Sequence, residues 1–292
     1  MAGSMSRSFR LLGASWTLLG KDLKLLLMPL LSLVVACVAA WGFWTLGLVD
    51  FASERSSLAN LLGLYLFYAV TAFVGICCNA VIVAVAMERL AGRPATLPDG
   101  WRVVRGRLGA VIRWALFSAT VGVVMRIVQE RLGLVGAIAT WIGNIAWSLA
   151  TFFVVPVLLF EPVDVRGAIR RSARVFKDRW GEQVTAELSI GAGLGILLIP
   201  VMIIGSVLIL SVSPWVGGAF IVVGFVTLIV VSATLEQIFG AALYRYAVSG
   251  AVPVGMTAAD FEAIVKPRRG RFGRKQKGWV PPAPPPTRPD VS

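Results

Sequence analysis

The 292-residue chain is 57% hydrophobic and only 15% charged, with mean hydropathy +0.80, which excludes an ordinary soluble domain and points to a membrane class. Histidine is absent and the three cysteines, Cys37, Cys77 and Cys78, all lie in apolar runs, so zinc sites, disulfide frameworks and imidazole acid–base chemistry lose their usual ligands and no metal or cofactor is implied. The formal charge of +13 sits in the gaps between apolar runs, the pattern of a membrane surface rather than of nucleic-acid binding.

In chain order, residues 1–24 come first. Phe9, Leu12, Trp16, Leu19 and Leu23 fall at spacings of three and four, with Arg7, Arg10, Lys21 and Lys24 off that stripe; this predicts an amphipathic helix lying in the cytoplasmic interface. Apolar segments follow at Leu25–Val49, Leu58–Met87, Leu108–Met125, Gly133–Phe160, Leu188–Leu210 and Trp215–Ala247, at the scale of the roughly 20 residues a spanning helix requires. Residues 25–248 therefore read as an all-α, polytopic membrane domain of six transmembrane helices arranged as three hairpins. The second and sixth runs are long enough to tilt or to continue past the bilayer. Within the first, Val34-Val35-Ala36-Cys37 resembles a lipoprotein cleavage box, but the run continues through Trp41, Phe43, Trp44 and Leu48, which favours an uncleaved span.

Lysine and arginine set the expected orientation. Arg7, Arg10, Lys21 and Lys24 precede span one, whereas the loop after it carries only Arg55. The second loop holds Arg89, Arg93, Arg102, Arg105 and Arg107, and the fourth Arg166, Arg170, Arg171, Arg174, Lys177 and Arg179. The third has only Arg126 and Arg131, and the fifth has none. Both termini are accordingly expected in the cytoplasm.

A basic segment with a tryptophan precedes each odd-numbered span. Trp101, Val104, Leu108 and Val111 with Arg102, Arg105 and Arg107 stand before span three, and Val165, Ile169, Phe176 and Trp180 with Arg166, Arg170, Arg171, Arg174 and Lys177 before span five. The chain thus reads as a threefold repeat of basic amphipathic helix, outgoing span and returning span; the competing account is that any hydrophobic hairpin protein places Trp and Arg at its inner interface. Arg166, Arg170, Arg171, Arg174 and Lys177 are candidate contacts for anionic phospholipid headgroups.

Polar residues inside spans are costly and so are candidates for function. Thr140, Asn144, Ser148 and Thr151 share one face of span four beside Trp147, as a polar path or as hydrogen-bonding glue between helices. Glu236, with Gln237, is the one acid well inside an expected span, and Arg113 of span three lies at similar depth, so an ion pair or a proton or cation site is open there. Glu161, Glu182 and Glu187 sit among interfacial arginines, where neutralisation is the ordinary role. Gly191 and Gly195 have the spacing of packed membrane helices, and Asn79 reads as a helix contact; no paired-carboxylate or phosphate-loop pattern occurs.

Residues 249–292 form a basic and then proline-rich tail, in which Arg268, Arg269, Arg271, Arg274, Lys275 and Lys277 are further candidate contacts with anionic headgroups. The tail is expected to be largely disordered, with a protein partner as a second possibility.

Several pieces together resemble an uncharacterised family of bacterial six-span integral membrane proteins, a domain of unknown function. They are Ser15-Trp16 with Leu25 to Pro29, the stretch Trp114 to Gly122, the stretch Ala146 to Pro156, Arg171-Ser172-Ala173 with Trp180-Gly181-Glu182, and Ala241 to Ala247. The resemblance covers about residues 10 to 250 and implies a bacterial plasma membrane, with no functional residue to carry over. The features favour a non-catalytic scaffold or lipid- or partner-binding protein. The alternative is a small-solute or lipid transporter using the span-four stripe and Glu236; an enzyme is disfavoured by the missing histidines and short outer loops.

Overall fold

The computed structural model describes residues 23–49, 58–180 and 190–250, and at 134, 178–180 and 190–197 the backbone alone. Every regular element among these residues is helical. A 3-10 turn, Leu23–Leu26, leads into α1, Leu27–Thr45; α2 is Leu58–Leu90, α3 Leu97–Arg105, α4 Leu108–Thr151, α5 Val154–Phe160, α6 Val165–Trp180, α7 Ile190–Ser211 and α8 Pro214–Ser249. The stripe expected in residues 1–24 lies outside the described residues except for Leu23 and Lys24, as do Glu182, Glu187 and the tail beyond Gly250.

Five stretches are long and apolar enough to cross a membrane: Leu23–Thr45, Leu58–Leu90, Leu108–Gly133, Val135–Phe160 and Pro214–Ser249. These apolar helices suggest a membrane protein, since a helix satisfies its own backbone hydrogen bonds in hydrocarbon. In α7, the counterpart of the fifth apolar segment, Leu198–Ser211 is a shorter apolar helix. Cys37 is exposed on α1, and the helix runs on past it to Thr45.

The third loop expected from the sequence is almost absent. Residues 126–132 stay helical, and Arg126 and Glu130 pair at 2.6 Å along the helix. Gly133 alone reverses the chain, at φ 51° and ψ −127°, a positive-φ conformation that glycine adopts without a Cβ penalty. Periodicity carries no signal for a one-residue reversal, which is why the loop looked longer than it is. The two arms of α4 then pack along their length, and Trp147 stacks on Trp114 with ring centroids 5.6 Å apart.

Helix ends follow ordinary capping chemistry. The backbone N–H and hydroxyl of Thr96 both donate to Asp99 Oδ2, at 3.0 and 2.6 Å, before α3. Arg89 at the end of α2 donates from Nε and Nη2 to the Ala95 carbonyl oxygen, clamping the intervening turn. Ser213 and Pro214 open α8, and Gly250 closes it at φ 67°, donating to the Tyr246 carbonyl. These caps occupy backbone groups that helix ends otherwise leave unpaired.

The core is concentrated at one end. Val81–Ala86 and Leu90 of α2, Val104 of α3, Val111 and Trp114 of α4, Leu158 and Leu159 of α5, Ala168, Val175 and Phe176 of α6, and Ile238, Phe239 and Ala241–Tyr244 of α8 belong to one buried cluster. At the opposite end Trp41, Leu46, Leu132, Val135, Leu210 and Trp215 are exposed. The basic helices contribute to this core differently from the expected interfacial helices. α6 turns Ala168, Val175 and Phe176 into the protein, with Phe176 against Phe152 and Phe153, so its apolar face is used in packing rather than laid into lipid. In the segment before span three the expected stripe divides between two helices, because α3 stops at Arg105 and Leu108 starts α4. Val104 is buried while Trp101 is 44% exposed.

Candidate functional site

Three pieces of chain near the middle of the bundle carry polar side chains to one place. Asn79 lies 11 residues before the end of α2, Ser148 12 before the end of α5, and Glu236 13 before the end of α8. At 1.5 Å per residue these offsets put all three about 16–20 Å from the core end of their helices. There they line a cavity of about 220 Å³ with Thr151 and Gln237. Phe152 also lines it, its ring the nearest side chain to Gly240. Below the cavity the core is closed, with Ala241, Ala242, Leu243 and Leu158 buried. Ser148 and Glu236 remain exposed, so among the described residues the mouth opens on the flank of the bundle.

The hydrogen bonding is incomplete in a consistent way. The Thr151 hydroxyl donates to the Trp147 carbonyl at 2.7 Å and so presents only lone pairs to the cavity. Asn79, Ser148, Glu236 and Gln237 make no side-chain hydrogen bond to any described residue. In an apolar medium each such group costs on the order of a few kcal/mol unless water or a ligand satisfies it. The space fits about seven waters at liquid density, or a small polar group.

Of the four-residue stripe, the structure brings Ser148 and Thr151 to this cavity and leaves the other two outside it. Thr140 is buried and its hydroxyl donates to the Gly136 and Ala137 carbonyls; Asn144 is exposed elsewhere on the same arm. The expected ion pair is not made, for no salt bridge joins Glu236 to Arg113 among the described residues and Arg113 is exposed. Similar depth did not place the two on facing surfaces. Asn79 joins the site rather than bridging two helices, a role that its position among Cys77, Cys78 and apolar neighbours did not signal.

A second polar cluster is structural in character. The Tyr244 hydroxyl donates to Glu161 Oε1 at 2.8 Å, and Arg171 Nε lies 3.1 Å from the same oxygen. Beside it the buried Ser172 hydroxyl accepts from the Phe153 backbone N–H at 3.0 Å. The Tyr244 bond ties α8 to the turn between α5 and α6, and the other two hold α6 against the two ends of α5. Arg171 therefore differs from the other candidate headgroup contacts on α6, for it faces a protein carboxylate, whereas Arg166, Arg170, Arg174 and Lys177 are exposed. Arg268, Arg269, Arg271, Arg274, Lys275 and Lys277 lie outside the described residues, and the surroundings of Gly191 and Gly195 lie outside the described side chains. Among the described residues no group of three or more metal-binding side chains occurs.

A family profile described as a family of unknown function, DUF6159, matches residues 58–254, two thirds of the chain, spanning α2 to α8 and every residue of the cavity. No curated protein and no solved structure matches.

Proposed function

The chain belongs to DUF6159, and from that premise we propose that it is a non-catalytic, six-span membrane protein that binds a small polar group, borne by a lipid or a solute, in the cavity between α2, α4, α5 and α8. The observation that carries this reading is the convergence of four polar side chains, with no partner among the described residues, on one space within apolar helices. A concave space on which a few placed polar groups converge among apolar side chains is a form that ligand pockets take. In this reading α7 supplies the sixth span as the antiparallel partner of α8, against which it packs extensively. The basic end carrying α3 and α6 faces the cytoplasm of a bacterial plasma membrane, where Arg166, Arg170, Arg174 and Lys177 meet anionic headgroups. The tail adds further cationic contacts and a docking segment for a protein partner.

The test is thiol labelling of single cysteines at Ser148, Thr151 and Glu236 in sealed vesicles, with Cys37, Cys77 and Cys78 replaced and Thr140→Cys as a buried control. Reaction of the first three with an impermeant, water-soluble maleimide, and not of the control, supports a hydrated binding site. No reaction in folded protein would leave the polar groups as lipid-facing and sink the reading. Reaction from both sides of the membrane would instead favour a transporter, the second reading, to which the lining by several different helices also lends itself.

A further inference from the structure

We propose that the group recognised in this cavity is an ammonium, primary or quaternary; the inference rests on the reading of the cavity as a ligand site. Among the described residues Glu236 is the one ionisable side chain lining it, and no described lysine or arginine does. A carboxylate in a space partly walled by Val83, Val155 and Pro156 attracts a cation more strongly than one in bulk water, because the apolar side chains keep part of the screening solvent away. The remaining polar groups supply acceptors: the amide oxygens of Asn79 and Gln237, the Ser148 hydroxyl, and the Thr151 oxygen whose own proton is already given to Trp147. A primary ammonium has three donors and no acceptor, so this set complements it. Phe152 adds an aromatic ring to the wall, the side chain that also accommodates quaternary ammonium through its π face.

Size and position agree with this class. About 220 Å³ admits an ammonium with a few carbons but no acyl chain, and the mouth on the bundle flank lets such a chain remain in the bilayer. An anionic or zwitterionic group pushed fully inside would bring its negative charge against Glu236 with no cation among the described lining residues to meet it. The ammonium is therefore carried either on an amphiphile that enters from the lipid or on a small free amine.

The experiment uses the full chain in uncharged maltoside micelles, with Ser148→Cys as the single thiol and its labelling rate by a water-soluble maleimide as readout. Octylammonium, octyl sulfate, octyl glucoside and ethylammonium are added separately at equal concentration. Octylammonium is expected to slow labelling at least tenfold more than the sulfate or the glucoside, and adding Glu236→Gln is expected to abolish that preference, with protection in each background taken as the ratio of the rates without and with probe. Protection by ethylammonium as well assigns the site to a free amine, and protection by octylammonium alone to a lipid-borne one. Equal protection by all three octyl probes, or a preference that survives Glu236→Gln, overturns the ammonium assignment while leaving the cavity a ligand site. A Ser148→Cys thiol that never reacts overturns both readings. The comparison among probes needs no change at position 236, so it decides the matter even if that variant fails to fold.

Discussion

Tyr244 is 3% exposed and shares Glu161 with Arg171, so the loss of one hydroxyl leaves a partly buried carboxylate short of a donor. Hydrogen bonds to charged groups contribute roughly 1.5–3 kcal/mol. Tyr244→Phe is accordingly expected to lower stability by about that amount in a denaturant titration of the detergent-solubilised protein; an unchanged midpoint would show that the cluster does not hold α8. Asp99 offers a pH-dependent counterpart. The hydrogen bonds donated by the Thr96 hydroxyl, and then by its backbone, hold the Asp99 carboxyl below its ordinary range, with Arg102 adding to the effect. A carboxylate with a lowered folded-state pKa contributes stability above its unfolded pKa and loses it as pH falls through the lowered value. Amide exchange at the start of α3 is therefore expected to be pH-insensitive in its protection near neutrality and to lose protection only in acid, below the usual carboxylate range. Asp99→Asn should show the unprotected behaviour at every pH.

Helices pack closely here where a side chain is missing. At Gly217 of α8 an added Cβ would press on the backbone nitrogen of Ile209 and lie 2.6 Å from the Gly205 carbonyl oxygen, so the α7–α8 contact depends on the bare backbone. Gly217→Leu is expected to destabilise that hairpin by about 1–3 kcal/mol, seen as an earlier change in Trp215 fluorescence during denaturation with an ionic detergent; Ala at the same place should cost less. Apolar runs and their length made most helices legible in the sequence, because each span must be apolar over nearly its whole length. Their contacts were not. The pattern that marked Val165, Ile169 and Phe176 as one face was right about the face and silent about what it meets, since protein and lipid are equally apolar partners. The Gly191–Gly195 spacing drew notice for its regularity, whereas Gly205 and Gly217 lie on different helices and no spacing within either could relate them.

At the scale of the whole molecule, charge lies over a packed core. The exposed residues of α6, Arg166, Arg170, Arg174 and Lys177, stand on the outside of a helix anchored by Ala168, Val175 and Phe176. A polybasic surface attracts anionic lipid by on the order of 1 kcal/mol per residue near the membrane. Replacing all four by glutamine is expected to remove most of the thermal stabilisation that added phosphatidylglycerol confers, and moderate salt should remove it from the unchanged protein; equal stabilisation by a neutral lipid would sink the electrostatic account. Of the candidate site, the sequence showed the polar residues and their order along each helix. It did not show which of them meet: Ser148, Thr151 and Glu236 came together, Arg113 did not, and Asn79 was added from a helix whose own pattern is apolar. Rotation of one helix about its axis decides such questions, and a single chain's composition does not report it.

The one-ended core has a consequence for how the protein is made. Helices enter the membrane in the order of synthesis, yet Leu243 and Tyr244 of α8 share a core cluster with Ile82 and Val83 of α2, which leave the ribosome some 160 residues earlier. The earlier helices must wait with their core ends unassembled until α8 arrives and closes them. A chain interrupted before residue 235 would still insert, but it would present the unmated end of α2 to the proteases that survey nascent membrane proteins.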